Sequence, residues 1–308
     1  MHGGKVKREL GLLALLAAVV ATVSIVNPAF LTAQNAKDIL VQVAPFAVLA
    51  CGMAFVVVLG EIDISIGSMV GLLAVVLGIG TSPALMGAPV GVVTTVMFAT
   101  GAALGCLNGL LATYGRVPSI IVTLGTLSLF RGATELLLKG EWVTDAPKSF
   151  INDTAAITIA AAVVLGTWVV ATKTPLGLRV YAAGGNPEAA KVRGLDVKKL
   201  RLLAFVTMGL LAALAALISV PQMSVIESGI GAGWELFVVT CVVVGGVSIT
   251  GGRGSIVGVV IGVLLLGTVR TVLVFLKLGD DAVYWERAIQ GAFILVAVLA
   301  DRLMVKRR

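Results

Sequence analysis

KTPLGLRVYAAGGNPEAAKVRGLDVKKLR, residues 173–201, is the longest polar stretch in a chain that is otherwise strongly apolar. It carries seven Lys and Arg residues but only two acidic residues, Glu188 and Asp196. Basic residues between apolar segments mark the cytoplasmic side of a membrane protein. The stretch is therefore predicted to be a cytoplasmic loop that fixes the orientation of the segments on either side of it.

The centre of this loop has the signals of a short helix over residues 186–193. Asn186 is typical of an N-cap and Pro187 of the first helical position. Glu188 falls in the first turn, where a negative charge complements the helix dipole, and Gly194 then favours an end to the helix. The residues alone leave two interpretations open, a solvated connection between spans and a docking element for another protein.

Composition predicts an all-α polytopic membrane protein, with residues 1–308 as a single domain. Hydrophobic residues make up 58% of the chain and charged residues 13%, against about 45–50% and about 25% in soluble domains. The net charge of +7 is more simply explained by membrane topology than by nucleic-acid binding, because the chain is so apolar.

Apolar periodicity and length predict about ten transmembrane helices. The third and eighth are short enough to be half-helices, and the third follows the interrupted segment GEIDISIG, residues 60–67. Segments placed inside contain 16 of the 23 Lys and Arg residues, which predicts cytoplasmic N- and C-termini. The predicted spans are residues 10–26, 41–59, 68–80, 88–112, 119–138, 154–172, 202–223, 236–249, 255–276 and 288–305.

A possible internal repeat is indicated by two G-S-x-x-G motifs, GSMVG at residues 67–71 and GSIVG at residues 254–258. Each follows an interrupted, glycine-containing stretch, as in transporters whose helices break near the binding path. The alternative is that Gly and Ser are simply frequent where membrane helices pack.

Several chemistries are excluded by what the sequence lacks. The only histidine is His2, and the cysteines Cys51, Cys106 and Cys241 lie in apolar runs, so no catalytic, metal or cofactor site is predicted. The chain contains no G-x-x-x-x-G-K-[ST] motif and cannot hydrolyse ATP through a P-loop. A pore-forming subunit driven by a separate motor fits these facts better than an ion-coupled carrier, which usually keeps an ionisable group at mid-span.

Polar side chains inside the spans are the candidate solute contacts. Ser119, Thr123 and Thr126 share one face of the fifth span, and hydroxyls suit a polyhydroxy solute because they both donate and accept hydrogen bonds. Asn108 needs a partner in the fourth span, either an adjacent helix or a solute. The alternative for the hydroxyl face is helix packing.

Two local contacts are also predicted. Asp63, Ser65 and Ser68 are expected to cap the third span. Arg131 and Glu135 are spaced i, i+4 and are expected to form an ion pair.

Four stretches closely resemble the permease subunits of bacterial ATP-binding-cassette (ABC) importers for monosaccharides, the ribose/xylose/rhamnose/autoinducer-2 group. Two features, VTLGTLSLFRG and the C-terminal WERAIQGAFILVAVLADR, are closest to the rhamnose and autoinducer-2 branches. The stretches are GEIDISIGSMVGL (60–72), NGLLATYGRVPSIIVTLGTLSLFRG (108–132), YAAGGNPEAAKVRGLDV (181–197) and VVVGGVSITGGRGSIVGVVIG (242–262).

The resemblance implies a multi-pass protein of the bacterial inner membrane that pairs with a second, identical or different permease. A cytoplasmic ABC ATPase would drive it, and a periplasmic or lipid-anchored binding protein would deliver the sugar. Glu61 departs from the family, whose members often have a second glycine there. The family's docking loop matches Gly185, Asn186, Pro187, Glu188, Ala189, Ala190 and Gly194 within residues 173–201. Its fifth helix lines the path, which favours Thr123 and Thr126, with Asn108, Ser119 and Phe130 as further candidates.

Overall fold

The fold is all-α in the residues that the computed structural model describes, which are 2–146, 150–276 and 282–306. The one β-bridge within these ranges joins Val143 and Ile226. The helices are α1 (His2–Val26), α2 (Ala33–Val58), α3 (Ile66–Thr81), α4 (Val90–Thr113), α5 (Ser119–Leu138), α6 (Asp153–Lys173), α7 (Pro175–Gly185), α8 (Pro187–Val192), α9 (Val197–Ser219), α10 (Trp234–Val244), α11 (Ile256–Phe275) and α12 (Ala282–Lys306), with short 3₁₀ turns at Pro28–Leu31 and Val220–Gln222.

Seven helices in the described ranges are long and apolar enough to cross a membrane: α1, α2, α4, α5, α6, α9 and α11. The third and eighth predicted spans form the shorter apolar helices α3 and α10. The tenth predicted span falls within α12, which is not among the seven. Ten spans and cytoplasmic termini therefore stay predictions.

Several predicted boundaries were wrong. The first helix begins at His2, while its membrane-capable part, Arg8–Val26, agrees with the predicted span of residues 10–26 to within two residues. Helix α10 ends at Val244, five residues before the predicted end, because Gly246 adopts a φ of +102° that a helix cannot continue through. Helix α12 begins inside the predicted 277–287 loop. Residues 277–281 of that loop, residues 147–149 of the predicted 139–153 loop, and Arg307 and Arg308 of the basic tail lie outside the described residues.

The predicted 173–201 loop is largely helical. Helix α7 was missed, and α9 begins at Val197 rather than at residue 202. The side chain of Thr174 accepts a hydrogen bond from the Gly177 backbone N–H, and Pro175 occupies the first turn, so α7 has the same start signals as the predicted α8. Helix α7 was predicted as loop because it ends in two glycines, Gly184 and Gly185, which are typical of loops.

The two G-S-x-x-G motifs both lie at the start of a helix that follows an interruption. Ser255 caps α11 by accepting from the Gly258 N–H, at 3.4 Å. Ser68 instead lies inside α3 and donates to the Ser65 carbonyl, at 2.9 Å. The positions correspond but the local roles differ, and the repeat stays a prediction.

Helices α4 and α9 form the most extensive helix pair of the molecule. Gly101 and Gly105 of α4 lie so close to α9 that a Cβ on either would overlap a backbone carbonyl oxygen, that of Gly209 or Phe205. Gly109 continues the same face one turn further along and contacts Leu202. Small residues let membrane helices approach closely and gain van der Waals contact.

Helix α2 is the most buried of the membrane-capable helices and runs through the centre of the described structure. It packs against α6, α9, α10 and α11. Lys37 near its start pairs with Asp153 at the start of α6, with Nζ–Oδ2 2.8 Å. The two helices therefore run in the same direction, and both end on the side where α7 and α8 lie, here called the α8 side.

Replacing Gly105 with Ala should destabilise the α4–α9 pair, because the new methyl group would meet the Phe205 carbonyl. Overpacking of this kind costs about 1–3 kcal/mol. The matched control is Gly91→Ala in the same helix, where no atom lies within 4 Å of the added Cβ. Thermal unfolding in detergent should show a lower midpoint for Gly105→Ala only, and equal midpoints would refute close packing here.

Candidate functional site

Helix α8 forms as the sequence predicts. The Asn186 side chain accepts from the Ala189 N–H at 2.9 Å, and Gly194 follows the helix with a φ of +81°. Glu188 and Lys191 form an exposed ion pair of 2.7 Å on its surface. A six-residue helix is marginal alone, so the cap and the first-turn charge contribute much of its local stability.

Most of the residues predicted to dock a partner are exposed. Ala190 is buried against the rest of the chain, and Pro187 is half-buried. The other five are exposed to solvent: Gly185, Asn186, Glu188, Ala189 and Gly194. The most exposed apolar side chain beside them is Val192, with 89% of its surface accessible. Val192 was not among the predicted docking residues, although its position in a short, polar, capped helix favours an exposed side chain. A capped helix thus presents an exposed valine and an exposed alanine.

The end of α7 makes close backbone contacts with two non-helical segments of the membrane domain, the one after α2 and the one before α11. Gly184 packs so tightly on the Val58 carbonyl, at the end of α2, that no side chain fits between them. The Gly252 N–H donates to the same carbonyl, at 2.7 Å. Gly251 and Gly252 adopt φ of +85° and +71°, which side chains disfavour. The segment before α8 therefore touches both the end of α2 and the residues that precede α11.

Residues 59–65, here called the first link, join α2 to α3 and are also held from the α9 side. Glu61 of the link pairs with Arg201 of α9, with Oε1–Nη1 2.9 Å. Only 14% of the Glu61 side chain and 29% of the Arg201 side chain are exposed, so solvent screens this pair less than a surface pair. The residue that departs from the family pattern thus has a defined partner.

The interior of the first link holds a buried polar chain. Asp63 is fully buried, and its Oδ1 accepts from both the backbone N–H and the hydroxyl of Ser65, at 2.9 and 2.6 Å. Asn108 of α4 donates to the Ser65 hydroxyl at 2.8 Å. Ser65 precedes α3 but makes no side-chain cap, so the predicted capping of α3 by Asp63, Ser65 and Ser68 was wrong.

The hydroxyl face of α5 packs onto the first link. The Ser119 hydroxyl accepts from the Ile62 N–H at 3.2 Å. The Thr123 hydroxyl donates to the Ser119 carbonyl of its own helix at 2.8 Å and also lies 3.3 Å from the Ile62 carbonyl. Thr126 donates to the carbonyl of Thr123, and Phe130 is buried further along the helix. The structure thus brings four of the predicted solute contacts onto one buried face of α5, and Asn108 lies on the other side of the link.

Arg131 does not pair with Glu135 as predicted. Its guanidinium donates instead to the backbone carbonyls of Ser228 and Ile230, in the segment that precedes α10. Unpaired carbonyls near a non-helical segment inside a membrane protein are strong acceptors, and an arginine can serve two at once. The i, i+4 spacing gave no sign of this distant partner.

Within the described part of the chain, His, Cys, Asp and Glu form no group that could hold a metal ion. The contacts of this site can transmit movement from one helix to another. An exposed helix is connected through rigid glycine contacts to two helix interruptions, and one of these covers a hydroxyl-lined face. A displacement of α7 and α8 would reach the first link through Val58.

Comparison with known proteins gives consistent relatives along nearly the whole chain. The family model described as "Branched-chain amino acid transport system / permease component" matches residues 35–298. The ribose import permease protein of Bacillus subtilis (strain 168) is 36% identical, over 98% of this chain and 95% of the relative. The autoinducer 2 import system permease protein of Enterobacter sp. (strain 638) is 34% identical, over 96% and 87%. No solved structure matches the chain.

Ser65 bridges Asp63 and Asn108, so its hydroxyl should matter more than that of an exposed serine. Ser65→Ala leaves buried polar groups short of a partner, which costs about 1–3 kcal/mol. Ser128→Ala, on the exposed side of α5, is the control and should be neutral. Denaturation of the two variants in the same detergent tests this, and equal stabilities would contradict the bridging role.

Proposed function

The chain belongs to the family of permease components of branched-chain amino acid transport systems, and we propose that it is the membrane-spanning subunit of an ABC importer for a monosaccharide or similar polyhydroxy solute. The resemblance found in the sequence is confirmed, because the relatives are import permeases for ribose and autoinducer 2. The chain is a multi-pass protein of the bacterial inner membrane.

A sugar-like solute is favoured over an amino acid by the relatives, whose names specify ribose and autoinducer 2. A solute like rhamnose or autoinducer 2 agrees best with the sequence features of the fifth and last spans. Residues 1–308 act as one permease domain that pairs with a second permease to form the path. A periplasmic or lipid-anchored binding protein delivers the solute, and a separate ATPase hydrolyses ATP.

The observation that carries this proposal is the exposed α8 helix. Val192 and Ala189 present apolar surface to solvent within a basic segment, beside the exposed Glu188–Lys191 pair. Exposed apolar residues rimmed by charges are characteristic of protein contact sites. We assign this surface to the cytoplasmic ATPase, which makes the α8 side the cytoplasmic side, in agreement with the charge distribution.

The contacts of α7 suggest how ATPase motion reaches the path. A movement of α8 displaces Gly184, which contacts the Val58 carbonyl, and so moves the first link that follows Val58. The first link is also held by the ion pair between its Glu61 and Arg201 of α9. The link covers Ser119 and Thr123 through Ile62. Moving the link away from α5 exposes the hydroxyl face to the solute, so Thr123 and Thr126 line the path only in the open state.

An ion-coupled secondary carrier is the alternative and is less well supported. Such a carrier would have no need of an exposed docking helix tied to its helix interruptions. The deciding experiment expresses the chain with candidate ATPase and second-permease subunits and identifies what stays bound in mild detergent. Recovery of an ATPase supports the importer. Solute accumulation by the chain alone in liposomes, without ATP, would overturn it.

Ala189→Trp and Val192→Asp should each abolish ATPase binding or transport, because one adds bulk and the other adds charge to the proposed contact. The chain should still insert normally, since both side chains are exposed. Met86→Asp is the matched control, an exposed apolar residue between α3 and α4. Co-purified ATPase and ATP-dependent transport are the readouts, and unchanged values for both α8 variants would remove α8 from the interface.

Replacing Thr123 and Thr126 together with Val should lower transport while the ATPase stays bound, since the solute loses hydroxyl partners. Thr158→Val, at an exposed position of α6, is the control for adding the same side chain elsewhere. Uptake of radiolabelled sugar by the assembled complex is measured beside its ATPase content. Normal uptake by the double variant would leave this face with a packing role only.

A further inference from the structure

An open cavity of about 910 Å³, lined by polar and apolar side chains in similar measure, lies on the side opposite α8. It is bounded by the starts of α2, α6 and α10, the end of α9 and the latter half of α11. Ligand sites in proteins typically have volumes of about 300–1,000 Å³. None of the predicted solute contacts lines it, so the cavity is separate from the hydroxyl face of α5.

The cavity, here called the shaft, is an open cleft that runs along the first turns of α2. Its α2 residues run from Lys37 to Phe46 at spacings that keep them on one side of the helix. The nine steps from Lys37 to Phe46 correspond to a length of about 13 Å along the helix axis. Phe46 and Trp234 contact each other at the deep end, with ring centroids 4.6 Å apart.

Pro45 gives the shaft a backbone acceptor. Proline has no N–H, so it cannot donate to the carbonyl of Val41, one turn earlier in α2. Val41, Gln42 and Pro45 all line the cavity. The Val41 carbonyl therefore lacks its usual helical donor, and the amide of the neighbouring Gln42 offers both a donor and an acceptor.

The charges of the shaft suit a neutral polar ligand. The mouth has both signs, Lys37 and Arg270 against Asp38 and Asp153, so it creates no field that selects an ion. The deeper lining has Gln42, Ser219, Phe46 and Trp234, without a charged side chain to neutralise a buried ion. Amide and hydroxyl groups over an aromatic floor match a sugar, which has hydroxyls on its edge and C–H groups on its face.

We propose that this shaft is an entry subsite that receives a monosaccharide-sized, uncharged polyhydroxy solute before it reaches the α5 face. The solute's hydroxyls bind Gln42 and the Val41 carbonyl, and one ring face rests on Trp234. The proposal rests on the proposed import function and adds a site to it.

The test is solute protection of an engineered cysteine. All native cysteines are replaced (Cys51→Ala, Cys106→Ala, Cys241→Ala), and Met223→Cys places a reporter in the lining. A charged, membrane-impermeant thiosulfonate labels the protein in nanodiscs, with D-ribose, D-xylose, L-rhamnose or D-galactose present in turn. At least one sugar should slow labelling several-fold. The control reporter, Met86→Cys, lies outside the cavity and should be unaffected.

Gln42→Ala, added to the Met223→Cys protein, should remove the protection without removing labelling. The proposal is overturned if no sugar protects, if both reporters are protected equally, or if L-leucine protects and no sugar does. Protection that persists in both Gln42→Ala and Trp234→Ala would also contradict it. ATPase binding by the same variants is measured in parallel, so failure of the subsite is distinguished from failure of the import function.

Discussion

Close backbone contact between α4 and α9 is the constraint on which the other features of the site depend. Membrane helices gain little from hydrophobic burial against each other, so their contact energy comes mainly from packing. Gly101, Gly105 and Gly209 allow the two backbones to touch. This contact sets the position of Asn108, which reaches Ser65, and of Arg201, which reaches Glu61. The two contacts that hold the first link, Asn108 with Ser65 and Arg201 with Glu61, thus both depend on one glycine-lined helix pair.

Local signals predicted much of the fold and part of the site. Apolar runs gave the seven long helices and the two short ones, because bilayer thickness imposes a length that a sequence reveals directly. Asn186, Pro187 and Gly194 gave α8, because capping depends on neighbouring residues only. The boundary of α10 was wrong because a glycine's φ angle depends on the surrounding chain, and Gly246 could equally have continued the helix.

Contacts between distant residues could not be predicted. Arg131 seemed matched to Glu135 four residues away, but backbone carbonyls near residue 230 accept its hydrogen bonds instead. Gly184 was expected to lie in a loop, but it lies at the end of α7, where its missing side chain permits close contact with the Val58 carbonyl. In both cases the physical reason is a partner far away in sequence, 99 residues for Arg131 and Ile230 and 184 − 58 = 126 residues for Gly184 and Val58. The exposure of Val192 is similar, because a valine is expected to be buried, and only the fold shows that no other part of the described chain covers it.

Helix α2 connects the two regions to which functions are proposed. Near its start, Lys37 lines the shaft, and the helix ends at Val58, where Gly184 and Gly252 contact its last carbonyl. Pro45 interrupts its hydrogen bonding between these points, and membrane helices bend at such residues because the lost bond removes local stiffness. The same proline removes the usual helical donor to the Val41 carbonyl, in the part of α2 that lines the shaft. The contact with α7 and the shaft therefore lie at the two ends of one helix, with the less stiff segment at Pro45 between them.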